Sequence, residues 1–281
     1  MVIQHNQMAS NANRMFGINR VDHAKSTEKL ASGYKVNRSS DDAAGLAISE
    51  VMRRQVRGLS QASSNAQDGI SMVQAAEGAI HEVHDMLGRI SELCVKAAND
   101  TMTSDDRAYV QDEIARNISE IDRVNQLATF NDINMLNGGA TKADGTKDPF
   151  SVKLQVGAEK DQYISFEIGV INAKSLGIDD LDVRGSDNAG AADGIEKIKS
   201  AMAITSEHRS KLGAVQNRLE HSIRNLDNIV ENTSASESKI RDTDMAGEMV
   251  NNSIRNIFSQ AGISMMSQAN QSNSAVLGLL S

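Results

Sequence analysis

Proline is nearly missing from this chain: Pro149 is the only one in 281 residues. Tryptophan is absent, aromatic residues make up 3%, and Cys94 is the single cysteine. Few prolines leave the chain free to form long helices, because proline removes a helical hydrogen bond and clashes with the preceding turn. Few aromatics disfavour a wide globular core, which uses large rings to fill space. Narrow helix–helix seams filled by aliphatic side chains and alanine remain. One cysteine excludes an intramolecular disulfide framework. That suits the cytosol, and equally a protein exported without passing an oxidising folding compartment. A net charge of −8 and a pI near 5.3 provide no basic stripe, which excludes nucleic acid as a partner. No apolar run is long enough to span a bilayer. The opening "MVIQHNQMASNANRMF" has neither the basic n-region nor the apolar h-region of a cleavable signal peptide.

What the chain does contain is helical periodicity. From Ala43 to about Asn99 the apolar positions Ile70, Val73, Ala76, Ile80, Val83, Leu87, Ile90, Cys94 and Ala97 recur in steps of three and four, the seam of a coiled-coil-like helix. At 1.5 Å per residue such a helix is about 85 Å long. A compact globule of this chain length has a radius of gyration of about 19 Å, so the spacing predicts a rod. A second helix carries Ile114, Ile118, Ile121 and Val124 behind a cap in "TSDD". A third runs from about Gly194 to Val230 with Leu212, Val215, Leu219, Ile223, Leu226 and Val230 on one face.

Between the second and third helices the period changes to two. "FSVKLQV" and "YISFEIGV" alternate strictly around the turn "GAEKDQ", which reads as a β-hairpin between Gly/Asp-rich loops at 138–148 and 185–194. The fold class is therefore mainly α: an elongated rod of long antiparallel coiled-coil-like helices with a small inserted β-hairpin and both termini helical. Expected domains are terminal helices at 1–42 and 240–281, a helical rod at 43–139 and 186–239, and the hairpin region at 140–185.

The two ends share a character. Residues 1–42 carry Met8, Met15 and Leu30 on a polar, Asn/Ser-rich background, and residues 240–281 carry Ile254, Phe258 and Met265 before the closing turn of Val276, Leu277, Leu279 and Leu280. Both read as helices too thinly apolar for a core of their own. Paired only with each other, they would bury one face and expose the other, so they are expected to fold against neighbouring copies. Met8, Met15, Leu30, Ile254, Phe258, Leu277, Leu279 and Leu280 are the candidate polymerisation core.

Signals for catalysis are weak. His81 and His84 in "HEVHD" stand at i, i+3 beside Glu82 and Asp85, whereas a zinc-protease helix needs i, i+4; a solvated helix face is the simpler reading. "RDTDMAGE" lacks the full spacing of a calcium hand. Cys94 falls on an apolar seam without a His or Asn partner and reads as a small buried hydrophobe. No P-loop, GxGxxG or GxSxG occurs. No cofactor, metal or enzymatic activity is expected.

Several long motifs are familiar. "STEKLASGYKVNRSSDDAAGLAISEVMRRQVRGL" (Ser26 to Leu59), "NQLATFNDINMLNG" (Asn125 to Gly138), "LQVGA" (Leu154 to Ala158), "SASESKIRDTDMAGEMV" and "QAGISMMSQANQSNSAVLGLL" resemble, in order and over nearly the whole chain, the signatures of bacterial flagellin. The resemblance implies a structural subunit that self-polymerises into the flagellar filament for swimming motility. In that family the ends are disordered in the monomer and pair as helices in the filament's inner tube, while the rod and hairpin form the outer tube. It also implies secretion by the flagellar type III apparatus to the extracellular flagellum, and an export chaperone at the C-terminal helix. Filament cap and hook-associated proteins would be further partners. Only about 45 residues lie where many members insert outer variable domains, so this resembles a short form. The family is also recognised by Toll-like receptor 5 through an arginine, a leucine and a glutamate, which carry over to Arg89, Leu93 and Glu113. Ser91, Cys94, Lys96 and Asp100 depart from the family's usual residues around them. Two other readings stay open on the residues alone: a hook–filament junction protein, which shares the terminal motifs, and a cytoplasmic helical signalling or adaptor rod. A membrane-surface protein would need a Lys/Arg-rich polar face that the ends lack.

Overall fold

The computed structural model describes residues 6–138, 148–184 and 189–278. Helices α1 (Gln7–Ser32), α2 (Ala43–Ala97) and α3 (Ser104–Leu127) are followed by strands β1 (Thr129–Phe130), β2 (Ile133–Asn134), β3 (Phe150–Gln155) and β4 (Tyr163–Ile168). Helices α4 (Ala189–Arg241) and α5 (Met245–Gly278) complete the order. The chain forms two compact units: a terminal one, Met1–Val56 with Glu231–Ser281, and a central one, Arg57–Val230.

In the central unit α2 buries Ala66, Gly69, Val73, Ala76, Ile80, Val83, Leu87, Ile90, Cys94 and Ala97, an unbroken alternation of three and four. Such a seven-residue repeat keeps one narrow stripe facing its partners. Helix α4 answers with Ile198, Ala201, Thr205, Leu212, Val215 and Leu219, and α3 with Val110, Ile114 and Ile121. The pairing of α2 with α4 is antiparallel, as Ser63–Asp227 (3.3 Å) and His84–Thr205 (3.3 Å) show. The expected cap is present: Thr103 and Asp106 form a reciprocal capping box at the start of α3.

The expected hairpin pairs β3 with β4 in antiparallel register from Phe150↔Ile168 to Gln155↔Tyr163. Ile164, Phe166 and Ile168 face the core. Its tip lies against α2 at Gly58, where an added Cβ would come within 2.8 Å of the Ala158 side chain; glycine permits that approach.

Three features depart from the sequence reading. Helix α4 starts at Ala189, inside the expected loop 185–194. Its Gly194 is a seam residue, where a Cβ would lie 3.4 Å from Cys94 Sγ, so the missing side chain serves packing and not a turn. The same helix continues past Val230 to Arg241, since nothing in "ENTSASESKIR" breaks it. A second, shorter hairpin joins β1 to β2. Asn131 (φ 50°) and Asp132 (φ 62°) are both left-handed at its turn, the backbone a two-residue hairpin of the primed type requires.

Beyond β4 the chain is irregular but not superficial. Ile171, Ala173, Leu176, Ile178, Leu181 and Val183 are all buried. Gln111 fastens this strap to α3: its Nε2 donates to the Leu181 carbonyl (2.8 Å) and its Oε1 accepts from the Val183 N–H (3.0 Å). Gln111→Ala is expected to leave both buried backbone groups unpaired and to cost about 2–6 kcal/mol, at roughly 1–3 kcal/mol per orphaned group. Urea unfolding followed by circular dichroism measures this.

His208, on the α4 face toward the hairpin, packs over Gly169, where a Cβ would come within 2.0 Å of the ring. Burial, then the charge of Lys211, lowers its pKa from the ordinary histidine value. As pH falls below about 6.5 the unfolded chain takes up a proton that the folded chain resists, so stability present at neutral pH is lost on acidification. His208→Gln should therefore shrink the stability difference between about pH 7.5 and pH 5 in urea titrations.

Candidate assembly surface

In the terminal unit α1 and α5 lie antiparallel, and the contacts fix their register. Asn6 Nδ2 donates to the Ala269 carbonyl (3.0 Å), Phe16 lies against Gly262, Arg255 Nη1 donates to the Asp22 carbonyl (2.6 Å), and Asn252 Nδ2 donates to Thr27 Oγ1 (3.1 Å). The seam is thus built of small residues and polar crosslinks. Among the described residues of α1 and α5 only Ser26 is buried.

The chain closes this pair on a short crossover. Gly33 ends α1 in the left-handed conformation, φ 75°, and its carbonyl accepts from Thr243 N–H (3.0 Å), while Lys35 N–H donates to the Arg241 carbonyl (2.7 Å). Arg241 is the pin: its guanidinium lies 4.7 Å from the Tyr34 ring centroid and bonds Glu50 at 2.7 Å. The hydrogen bond from Arg241 holds the Glu50 carboxyl below the usual carboxylate range. Asp244, one of the two aspartates of "RDTDMAGE", caps α5 by accepting from the Ala246 and Gly247 N–H groups.

The apolar side chains of the pair face outward. Met8 is 74% exposed, Met15 52%, Ile254 43% and Phe258 54%; Leu30 is half-buried. Leu277 belongs to α5, and Leu279 and Leu280 lie outside the described residues. Met8, Met15, Phe16, Phe258 and Met265 share one groove of about 700 Å³. Ile18, Val21, Met249, Val250, Ile257 and Ile263 are exposed as well. This surface can do one thing chemically: bury apolar area against another apolar surface.

The candidate receptor residues lie in the central unit. Arg89 of α2 and Glu113 of α3 are brought together, with Arg89 Nε and Nη2 donating to Glu113 Oε1 at 3.1 and 2.8 Å and Nη1 donating to Glu92 (3.0 Å). Glu113, then Glu92, raises the pKa of Arg89. Leu93 is not on that face: it is 2% exposed, in the core. Four residues turn a helix by about 400°, so Leu93 lies roughly 40° round from Arg89, beside the seam residue Cys94.

The other singled-out groups take structural roles. His81 and Asp85 face solvent at 3.6 Å, but His84 turns inward to Thr205, so it is not part of a solvated face. Cys94 is buried, and burial pushes its thiol up to about 11. Among the described residues no group of three or more His, Cys, Asp and Glu gathers to hold a metal, and no helix is long and apolar enough to cross a membrane.

Comparison with known proteins agrees with this geometry. The family described as "Bacterial flagellin N-terminal helical region" matches residues 3–141, and "Bacterial flagellin C-terminal helical region" matches residues 195–280. The chain is 46% identical to the flagellin of Halalkalibacterium halodurans over 100% of both chains, and 44% identical to that of Bacillus subtilis over 100% of both. Among solved structures, one from Vibrio parahaemolyticus described as a flagellar hook-associated protein aligns with a TM-score of 0.60, covering 72% of this chain and 100% of that one. At 15% identity that likeness concerns the fold alone.

Proposed function

The chain belongs to the bacterial flagellin family, and from that premise we infer how its parts serve a filament. It is a structural subunit of the flagellar filament, of the kind without large outer variable domains. Flagellins self-assemble into an extracellular filament, and the hook–filament junction and signalling-rod readings are not favoured.

The observation that carries the assignment of parts is the outward-facing apolar surface of α1 and α5. Residues 1–42 and 240–281 form the inner tube, Met8, Met15, Leu30, Ile254, Phe258, Leu277, Leu279 and Leu280 are its packing residues, and the helices and hairpin between them form the outer tube. In a free subunit the pair exposes apolar side chains on both helices, which is unfavourable in water. Its folded state is therefore completed by neighbours. Before export a cytoplasmic chaperone covers α5, and at the ends of the filament cap and hook-associated proteins meet the same terminal surface. Secretion runs through the flagellar type III apparatus. The subunit's role is structural and not catalytic. The Arg89–Glu113 pair is the proposed contact for Toll-like receptor 5, with Leu93 acting from below as a packing residue.

Deleting 272–281, or substituting Phe258→Asp, should leave the central unit folded by circular dichroism and abolish polymer in sedimentation. Normal filaments from either variant would remove these residues from the inner tube. Limited trypsin digestion should trim both ends of the subunit and spare them in the polymer. For the receptor, Arg89→Ala and Glu113→Ala should each weaken binding of its ectodomain to the subunit by about tenfold, or roughly 1.4 kcal/mol. Unchanged affinity in both would move the contact elsewhere.

A further inference from the structure

Sulfur is unevenly placed in this chain. It has 13 methionines against one cysteine and no tryptophan, so the thioether is its main side chain open to two-electron oxidation. Cys94 is fully buried in the α2 seam, and burial pushes its thiol up to about 11; held as a buried thiol, it is inert. The methionines divide by unit. In the central one Met72 and Met135 are 7% and 1% exposed, and Met86, Met102 and Met202 pack against the core. Among the described residues the exposed methionines are Met8, Met15, Met245, Met249 and Met265, and all five belong to the terminal unit.

Three of the five wall one groove, with Phe16 and Phe258 beside them. Met8 and Met15 stand about two turns apart on α1. The register set by Asn6 against Ala269 and Phe16 against Gly262 brings Met265 of α5 level with the turn between them. Met265 is 64% exposed, so like Met8 and Met15 it is open to a small solute. A thioether attacks hydrogen peroxide through a sulfur lone pair. An S–O bond forms, the O–O bond breaks, sulfur loses two electrons to the peroxide, and the second oxygen leaves with both protons as water. The sulfoxide is polar and chiral where the thioether was apolar and flexible, and its oxygen loses its water when an apolar neighbour covers the groove. Resting on the assignment of this groove to the polymerisation surface, we propose that Met8, Met15 and Met265 form a reversible oxidation site. Their conversion to sulfoxides by a peroxide-class oxidant stops the subunit from assembling and leaves the central unit intact. Reversal requires a sulfoxide reductase for each epimer and a dithiol, which becomes a disulfide as the oxygen leaves as water.

The full-length subunit is treated with hydrogen peroxide, mapped by peptide mass spectrometry and sedimented under polymerising conditions. One added oxygen at each groove methionine is expected before any at Met72 or Met135, with the main thermal unfolding step unchanged. Polymer should be lost, or need a subunit concentration at least about tenfold higher. Methionine sulfoxide reductases A and B with dithiothreitol should restore polymer as the added oxygens disappear. Met8→Leu, Met15→Leu and Met265→Leu together keep apolar volume, so that variant should polymerise before and after peroxide. Where it makes no polymer even untreated, the reductase step decides. Normal polymer from subunits carrying all three sulfoxides overturns the proposal, and so does equal loss of polymer in the leucine variant after peroxide. Polymer that stays lost once the oxygens are removed, or oxidation of Met72 and Met135 at the same rate, overturns it too. Untreated Phe258→Asp subunits tell the two failures apart. Polymer from them removes the groove from assembly, whereas no polymer from them, beside normal polymer after peroxide, removes the oxidation site alone.

Discussion

The seam along α2 is the constraint from which the rest follows. From Ala66 to Ala97 every seam position is aliphatic, alanine, glycine or cysteine, with a period of 3.5 residues. A stripe that narrow cannot build a globule, because it has no side faces to cover. It can only meet other stripes, and α3 and α4 supply them. The near-absence of proline and aromatics is the same constraint seen in composition: a kink would end the register, and a ring would part helices whose close approach rests on Ala66, Ala76, Ala97, Ala201 and Gly194.

Several polar residues in and beside this seam meet a partner provided for them. Thr205 meets His84 and Gln111 meets two backbone groups of the strap. Asn134 donates to the Asn125 and Gln126 carbonyls at the end of α3 and accepts from the Leu136 and Asn137 N–H groups. In each case a buried amide or hydroxyl specifies a register that aliphatic packing alone leaves free to slide. The strap is the clearest instance: six buried apolar residues without secondary structure are fastened to α3 by Gln111 at Leu181 and Val183 and by Asp122 at Ala173.

How much of this was legible in the sequence depends on the range of the interaction. Helices α2 and α3, the Thr103 cap and the β3–β4 hairpin are written in local period and could be read directly. The start of α4 could not, because Gly190 and Gly194 signal a turn locally and serve close packing in the fold. The β1–β2 hairpin was hidden because "FNDI" is too short for an alternating pattern, although Asn-Asp tolerates the left-handed turn it makes. That Leu93 is buried beside the seam could not be read from the motif, because motif matching carries no helix phase. On the assembly surface, Met8, Met15, Ile254 and Phe258 were visible as apolar residues in a polar background.

The contrast between the two units carries the functional argument one step further. The central unit buries its large apolar residues itself, and its exposed surface is mainly polar. The terminal unit does the reverse: its helices adhere through Arg255, Asn252 and Asn6 and through small residues, while Met, Ile and Phe remain outside. Each such side chain, once fully covered, contributes about 1.5–3 kcal/mol, and only part of that is gained in the isolated pair. A subunit arranged this way keeps its folding energy in one part and its association energy in the other. The pair can be remodelled without unfolding the central unit, because what holds it together is a few exchangeable hydrogen bonds and not a core. That separation leaves an apolar surface uncovered until another apolar surface is present to cover it.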